Sequence, residues 1–246
     1  MPDTVIRNAT IIDGTGAPRF VGDVSIEDGH ITEIGEISGS PIDLEVDATD
    51  LVLAPGFVDV HTHDDGALVQ HPDMTFKVSQ GCTSVVVGNC GFSAIPAVTG
   101  ESTLDLSGVE ASWSDLDGYR DAVEGSNPAV NAMMLVGHNT IRTLEMKGER
   151  GAPNDHQLSR MREHVELAMQ QGACGFSTGL IYRPGRWADT EEVLDLAKVV
   201  APFGGIYATH MRNENDHLLE AVDEALHIGA EAGVAVQISH HKAAGR

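Results

Sequence analysis

The chain has 246 residues, 41% of them hydrophobic, and a formal net charge of −22. That length suits one large domain or two small ones, and the charge argues against nucleic acid and anionic membranes, whose phosphates it would repel. No apolar run is long enough to span a membrane, and the start M-P-D-T-V-I-R-N lacks the basic-then-apolar pattern of a signal peptide, so a cytoplasmic location is expected.

Lysine is confined to Lys77, Lys147, Lys198 and Lys242, and so acidic a surface fits either a salty cytoplasm or simple solubility. The cysteines, Cys82, Cys90 and Cys174, are odd in number and form no C-x-x-C, so neither a disulfide framework nor a zinc ribbon is implied.

Residues 1–54 read as a small β unit, a β-sandwich segment. Apolar runs at 4–6 and 10–12 precede the turn D-G-T-G, residues 21–26 alternate, and E-D-G at 27–29 signals a hairpin. Residues 31–34 and 44–46 continue the pattern. From residue 51 strands begin to alternate with helices, which predicts parallel strands joined by crossovers. The predicted strands are 57–61, 84–88, 132–137, 175–178, 205–210 and 234–240, and the predicted helices include 155–171, 190–200 and 216–232. Thr190 is expected to cap the second of these helices. Residues 89–123 are long and irregular, a feature often tied to function. The predicted architecture is α/β: a β segment over 1–54, then an incomplete TIM-like barrel over 55–246 with about six of its strands.

Residues able to do chemistry recur at the predicted strand ends, where such barrels build their sites. His61 and His63 in H-T-H-D-D lie two apart, the spacing that puts two imidazoles on one side of a strand. They are either two solvated histidines or half of a metal site. His210 in A-T-H-M-R and His240 in S-H-H-K each close an apolar run. Cys90 in G-N-C-G is either a small buried hydrophobe or a thiolate exposed at the mouth, where it would ligate zinc. Taken together, these residues favour a metal site over separate structural roles. His138 ends a further strand and either meets substrate or orients a ligand. Cys82, Cys174 and His241 are assigned to structure.

These motifs, H-T-H-D-D, G-N-C-G, F-S-T-G-L-I-Y, H-M-R-N-E and S-H-H-K, resemble the amidohydrolase superfamily and, more narrowly, its N-acyl-D-amino-acid deacylases. The resemblance implies a metal-dependent (β/α)8 barrel beside a small β domain, acting on N-acyl-D-amino acids as small-molecule substrates. It implies a tight zinc held by Cys90, His210 and His240, and a weaker metal position at His61 and His63. Tyr182 and Lys242 resemble the residues that hold the substrate's carboxylate and tetrahedral oxygens, with Arg212 a further cation on that face; each is otherwise a solvated loop residue.

The general base of that family is an aspartate at the end of barrel strand eight. The sequence stops at Arg246, just past the sixth predicted strand, so the chain is expected to be part of a longer enzyme, its catalytic base unassigned. Alternative readings are an amidohydrolase acting on cyclic amides or acyl-amines, and a catalytically inactive metal-binding fragment. Oligomeric state stays open.

Overall fold

The computed structural model describes residues 2–41, 43–97, 111 and 113–245. It forms two compact units, Met1–Phe57 and Val58–Arg246.

The first unit holds β1 (Thr4–Ile11), β2 (Phe20–Glu27), β3 (His30–Gly35), β4 (Leu44–Asp47) and β5 (Val52–Leu53). They form one five-stranded sheet in the order β3-β2-β1-β4, with β5 also on β1. The pairs β1–β2 and β2–β3 are antiparallel, and β4 and β5 run parallel to β1. The two apolar runs expected at 4–6 and 10–12 belong to a single strand. Asn8 lies between them at φ +59°, a conformation asparagine tolerates, and the register shifts there. Asp28 and Gly29 both have positive φ, as a two-residue hairpin turn of the favoured hand requires. Ala9, Ile11, Val24 and Ala48 make this unit's small core.

The second sheet has six strands: β6 (Phe57–Asp59), β7 (Cys82–Val87), β8 (Asn131–Gly137), β9 (Gly175–Gly179), β10 (Ile206–His210) and β11 (Ala235–Ile238). They lie in sequence order across the sheet, and the pairs from β7 to β11 are all parallel. Short helices α1 (Ala67–Gln70) and α2 (Thr75–Val78) follow β6. The longer connections contain α3 (Leu116–Ser126), α4 (His138–Met146), α5 (Asp155–Gln170), α6 (Thr190–Val200) and α7 (Leu218–Ala232). This is the parallel sheet of an incomplete TIM-like barrel expected from the alternation of elements.

Helices α5 and α6 each bury one stripe. Met161, Val165 and Ala168 of α5 and Val193, Leu196, Ala197 and Val200 of α6 recur every three or four residues and join the core against Val85, Val87, Val136 and Phe176. Asn154 and Gln157 close a reciprocal capping box on α5. For α6 the cap is Asp189, not Thr190: Asp189 Oδ1 accepts from the Glu192 amide at 2.9 Å. Thr190 is the first helical residue, and its hydroxyl donates to Glu224 of α7 at 2.8 Å. Helix α3 begins inside the stretch expected to be irregular, while residues 98–110 and 112 of that stretch lie outside the described residues. No helix among the described residues is long and apolar enough to cross a membrane.

Candidate metal centre

The centre sits at the C-terminal ends of β6, β7, β10 and β11. Register starts the assembly. Parallel pairing of β9 with β10 sets Gly179 beside His210. Gly179 leaves no room for a side chain, since a Cβ there would lie 2.1 Å from the Cys90 carbonyl oxygen. The loop after β7 therefore packs directly on β9 and brings Cys90 next to His210.

That loop is bound on several sides. The Gly91 amide donates to Ser177 Oγ at 3.0 Å, and the buried Asn89 donates to the Val86 carbonyl at 2.8 Å. Asp65, fully buried, accepts from the amides of Gly88 and Ala94 at 3.3 and 3.1 Å. Burial pushes its carboxyl up to about 7, against the pull of those two amides. Gly88 has φ +78°, and a Cβ there would meet the Leu135 carbonyl oxygen at 2.0 Å. Gly88→Ala is thus expected to displace the whole turn; zinc retention after dialysis should fall sharply while circular dichroism still reports helices.

Cys90 Sγ is the hub. It lies 3.4 Å from His61 Nε2, 3.6 Å from His210 Nδ1 and 3.8 Å from His240 Nε2. The His240 ring is 4.3 Å from that of His61 and 4.6 Å from that of His210. Tetrahedral zinc, with Zn–S of about 2.3 Å and Zn–N of about 2.0 Å, separates sulfur and nitrogen ligands by about 3.6 Å. The three measured separations bracket that value. His61, Cys90 and His240 form one candidate metal-holding set, and His210, Glu214 and His240 another.

Electrostatics favours a cation as well. Burial, then repulsion from the other imidazoles, lowers His61 to about 4, and burial also lowers His63 and His210. Neutral imidazoles are the form that ligates metal. Burial, with the Glu214 charge adding to it, pushes the Cys90 thiol up to about 12. A divalent ion reverses that penalty by stabilising the thiolate. His61 Nδ1 and His210 Nε2 are buried without a hydrogen-bond partner. Cys90 and His240 are also held at φ +53° and +63°, left-handed conformations uncommon outside glycine and concentrated at functional sites. The donor set thus fits a zinc-like ion.

The other expected residues divide. His63 is exposed, its ring 5.4 Å edge-on from that of His61, and it belongs to neither metal-holding set. Strand β6 ends at Asp59, two residues short of expectation, so both histidines stand on the following loop, where Asp59 Oδ1 accepts from the His61 amide. The Tyr182 ring lies 4.7 Å edge-on from His210. Lys242 Nζ is 3.3 Å from Glu214 Oε2. Arg212 forms a bidentate pair with Glu224 of α7, at 2.9 Å from Nε and 2.8 Å from Nη2, and its described contacts include none of the cluster residues.

His138 also turns from the cluster: its Nε2 donates to the buried Glu192 Oε1 at 2.8 Å. Asp64 pairs with Lys77 at 2.9 Å, so it and Asp65 are both committed to the surrounding loops. Glu214 is the residue that strand-end reasoning missed. It stands four residues after His210, and its Oε1 lies 3.2 Å from His210 Nε2. The acidic residue in H-M-R-N-E was the available signal.

Residues 44–245 match the amidohydrolase family. The chain is similar to D-aminoacylase of Alcaligenes xylosoxydans xylosoxydans, at 41% identity over 99% of this chain and 51% of that protein. It superimposes with a TM-score of 0.91 and 41% identity on the N-acyl-D-glutamate deacylase of Bordetella bronchiseptica, solved with zinc and a phosphonate mimic of the tetrahedral intermediate; the match covers 96% of this chain and 50% of that one. A D-aminoacylase studied for its binuclear metal centre gives the same TM-score at 38% identity, over 98% of this chain and 52% of that one. The chain thus spans about half the length of these relatives. With the family matched from the first sheet through the loop that carries Lys242, the chain belongs to the amidohydrolase family.

Proposed function

We propose that the cluster is a zinc centre serving hydrolysis of the amide bond of N-acyl-D-amino acids. The observation that carries this reading is one thiol sulfur within 3.4–3.8 Å of imidazole nitrogens from three separate strand ends. The zinc–phosphonate complex of the Bordetella relative supports both the metal and the reaction class.

Cys90, His210 and His240 would hold the tighter ion in this reading, and His61 and His63 would serve a second, weaker position. Bound zinc supplies Lewis acidity toward water and an acyl carbonyl. The chain's own residues bind and orient. Tyr182, half-exposed beside His210, offers a hydroxyl at the rim, and the Lys242 ammonium offers a cation for the substrate carboxylate. Arg212 enters through its pair with Glu224, which ties the loop after β10 to α7. Neither Asp64 nor Asp65 is free to accept a proton from water, so both are left out of the catalytic roles.

The test is release of free amino acid from N-acetyl-D-methionine and N-acetyl-D-glutamate, with their L forms as controls. For the protein as its gene encodes it, loaded with zinc, hydrolysis of at least one D form and of neither L form is expected. Turnover of the L forms alone, or of neither enantiomer, would remove the deacylase reading.

A further inference from the structure

We infer that Glu214 is a positioning residue of this centre: its carboxylate holds His210 in the tautomer that presents Nδ1 to the cation, and it ties the two metal-bearing loops together. The inference rests on reading the Cys90 cluster as a metal centre, and it concerns a residue outside the proposed ligand set.

The two nitrogens of His210 face different groups. Nδ1 is 3.6 Å from Cys90 Sγ, and Nε2 is 3.2 Å from Glu214 Oε1. An imidazole that gives one nitrogen to a metal carries its proton on the other, and that N–H needs an acceptor. His210 and Glu214 are 2% and 4% exposed, so water does not provide one. Neither His210 Nε2 nor Glu214 Oε1 has a hydrogen bond elsewhere. At 3.2 Å each is the partner within reach of the other.

The same carboxylate reaches further. Glu214 Oε2 lies 3.3 Å from Lys242 Nζ, and the Glu214 carbonyl accepts from the Ala244 amide at 2.7 Å. One residue thus links the loop after β10, which follows His210, to the segment after β11, which follows His240. The carboxylate orients one ligand, and together with the Glu214 backbone carbonyl it joins the segments that carry two.

A competing role is direct ligation, since Glu214, His210 and His240 also form a candidate metal-holding set. That arrangement uses Nε2 of His210. The ring cannot give both nitrogens to one ion, so a cation bound by Cys90 and His210 Nδ1 leaves Glu214 outside its ligand shell.

The test compares wild type with Glu214→Gln, using zinc alone as the probe. Competition with a chelating dye should give Glu214→Gln a zinc affinity about 10–100-fold weaker, the usual effect of removing a partner of a metal-bound histidine. X-ray absorption at the zinc edge should report one sulfur neighbour and the same number of nitrogen and oxygen neighbours in both proteins. In zinc-loaded wild type, 15N imidazole spectra should place the His210 proton on Nε2 and show it protected from exchange with solvent by a hydrogen-bonded acceptor; this measurement needs no variant and tests the contact if Glu214→Gln does not fold. An affinity within twofold of wild type, loss of one light neighbour in the variant, or a proton on Nδ1 would each overturn the inference. Failure of wild type to bind zinc would instead remove the metal centre itself.

Discussion

Replacing Cys90 by alanine should leave a folded chain that no longer retains zinc through dialysis. Cys90 Sγ lies within 3.8 Å of His61, His210 and His240 alike, so its loss removes the point at which the three rings converge. Burial lowers His61 and His210 toward the neutral form, and none of the remaining rings supplies the anionic sulfur that neutralises half the charge of a divalent ion. The drop in affinity should exceed the roughly 10–100-fold typical of residues that only orient a ligand. The fold should tolerate the change, because the turn is held by Gly88, Asn89, Gly91 and Asp65 rather than by the sulfur. Elemental analysis after dialysis, beside a melting curve of the metal-free proteins, is the measurement. Zinc content equal to wild type would remove Cys90 from the centre.

Glu192→Ala should strongly destabilise the fold. Glu192 projects from α6 into the core, where Arg142 Nη1 donates to both its oxygens at 2.7 and 2.6 Å and His138 Nε2 donates at 2.8 Å. Arg142 and His138 are fully buried. Alanine leaves that guanidinium with the Gly151 carbonyl and no anion. Breaking a buried pair from one side costs about 3–5 kcal/mol. For a chain of this size that lowers the melting temperature by about 6–20 °C.

Exchanging both partners, Glu192→Leu with Arg142→Met, should recover part of the loss, since the buried guanidinium goes with its anion and only the His138 N–H is left without its acceptor. The pH dependence follows from the same contacts. Burial acts to raise the Glu192 carboxyl, but the His138 and Arg142 contacts outweigh it and hold the group below its ordinary value. A depressed folded-state pKa contributes stability above the ordinary carboxylate range, about 4.3 for glutamate, and loses it as pH falls below that range. Wild type should therefore lose more stability than Glu192→Ala between pH 5 and the acid limit, as followed by urea unfolding. Equal acid sensitivity would show that the fold does not hold the Glu192 carboxyl below its ordinary value.

Local pattern alone was enough for the alternation of strands and helices from residue 57 onward, because burial on one face writes a period into the chain. The same pattern located His61, Cys90, His210 and His240 at or just past strand ends, since in parallel sheets with crossovers those ends share a rim. It could not decide where a strand-end side chain points. His138 and His210 follow apolar runs in the same way in the sequence, yet one opens α4 and turns to a buried glutamate while the other closes β10 and turns to the Cys90 sulfur.

That choice belongs to tertiary packing. It depends on a glycine-lined contact between Cys90 and β9, on left-handed backbone at Cys90 and His240, and on which carboxylate of a distant segment comes within reach. Asp65, Glu192, Glu214 and Arg212 were opaque for the same reason. A charged residue reads as solvated until its partner is known, and for Glu192, Asp65 and Arg212 that partner lies between 12 and 54 residues away. Glu214 is closer in sequence to His210, but only the turn after β10 swings its carboxylate back onto the ring. Thus the sequence by itself determined the type of sheet and the end of it where the chemistry gathers, through periodicity and strand-end residue types; the ligand geometry and its supports were decided only when long-range contacts oriented those side chains.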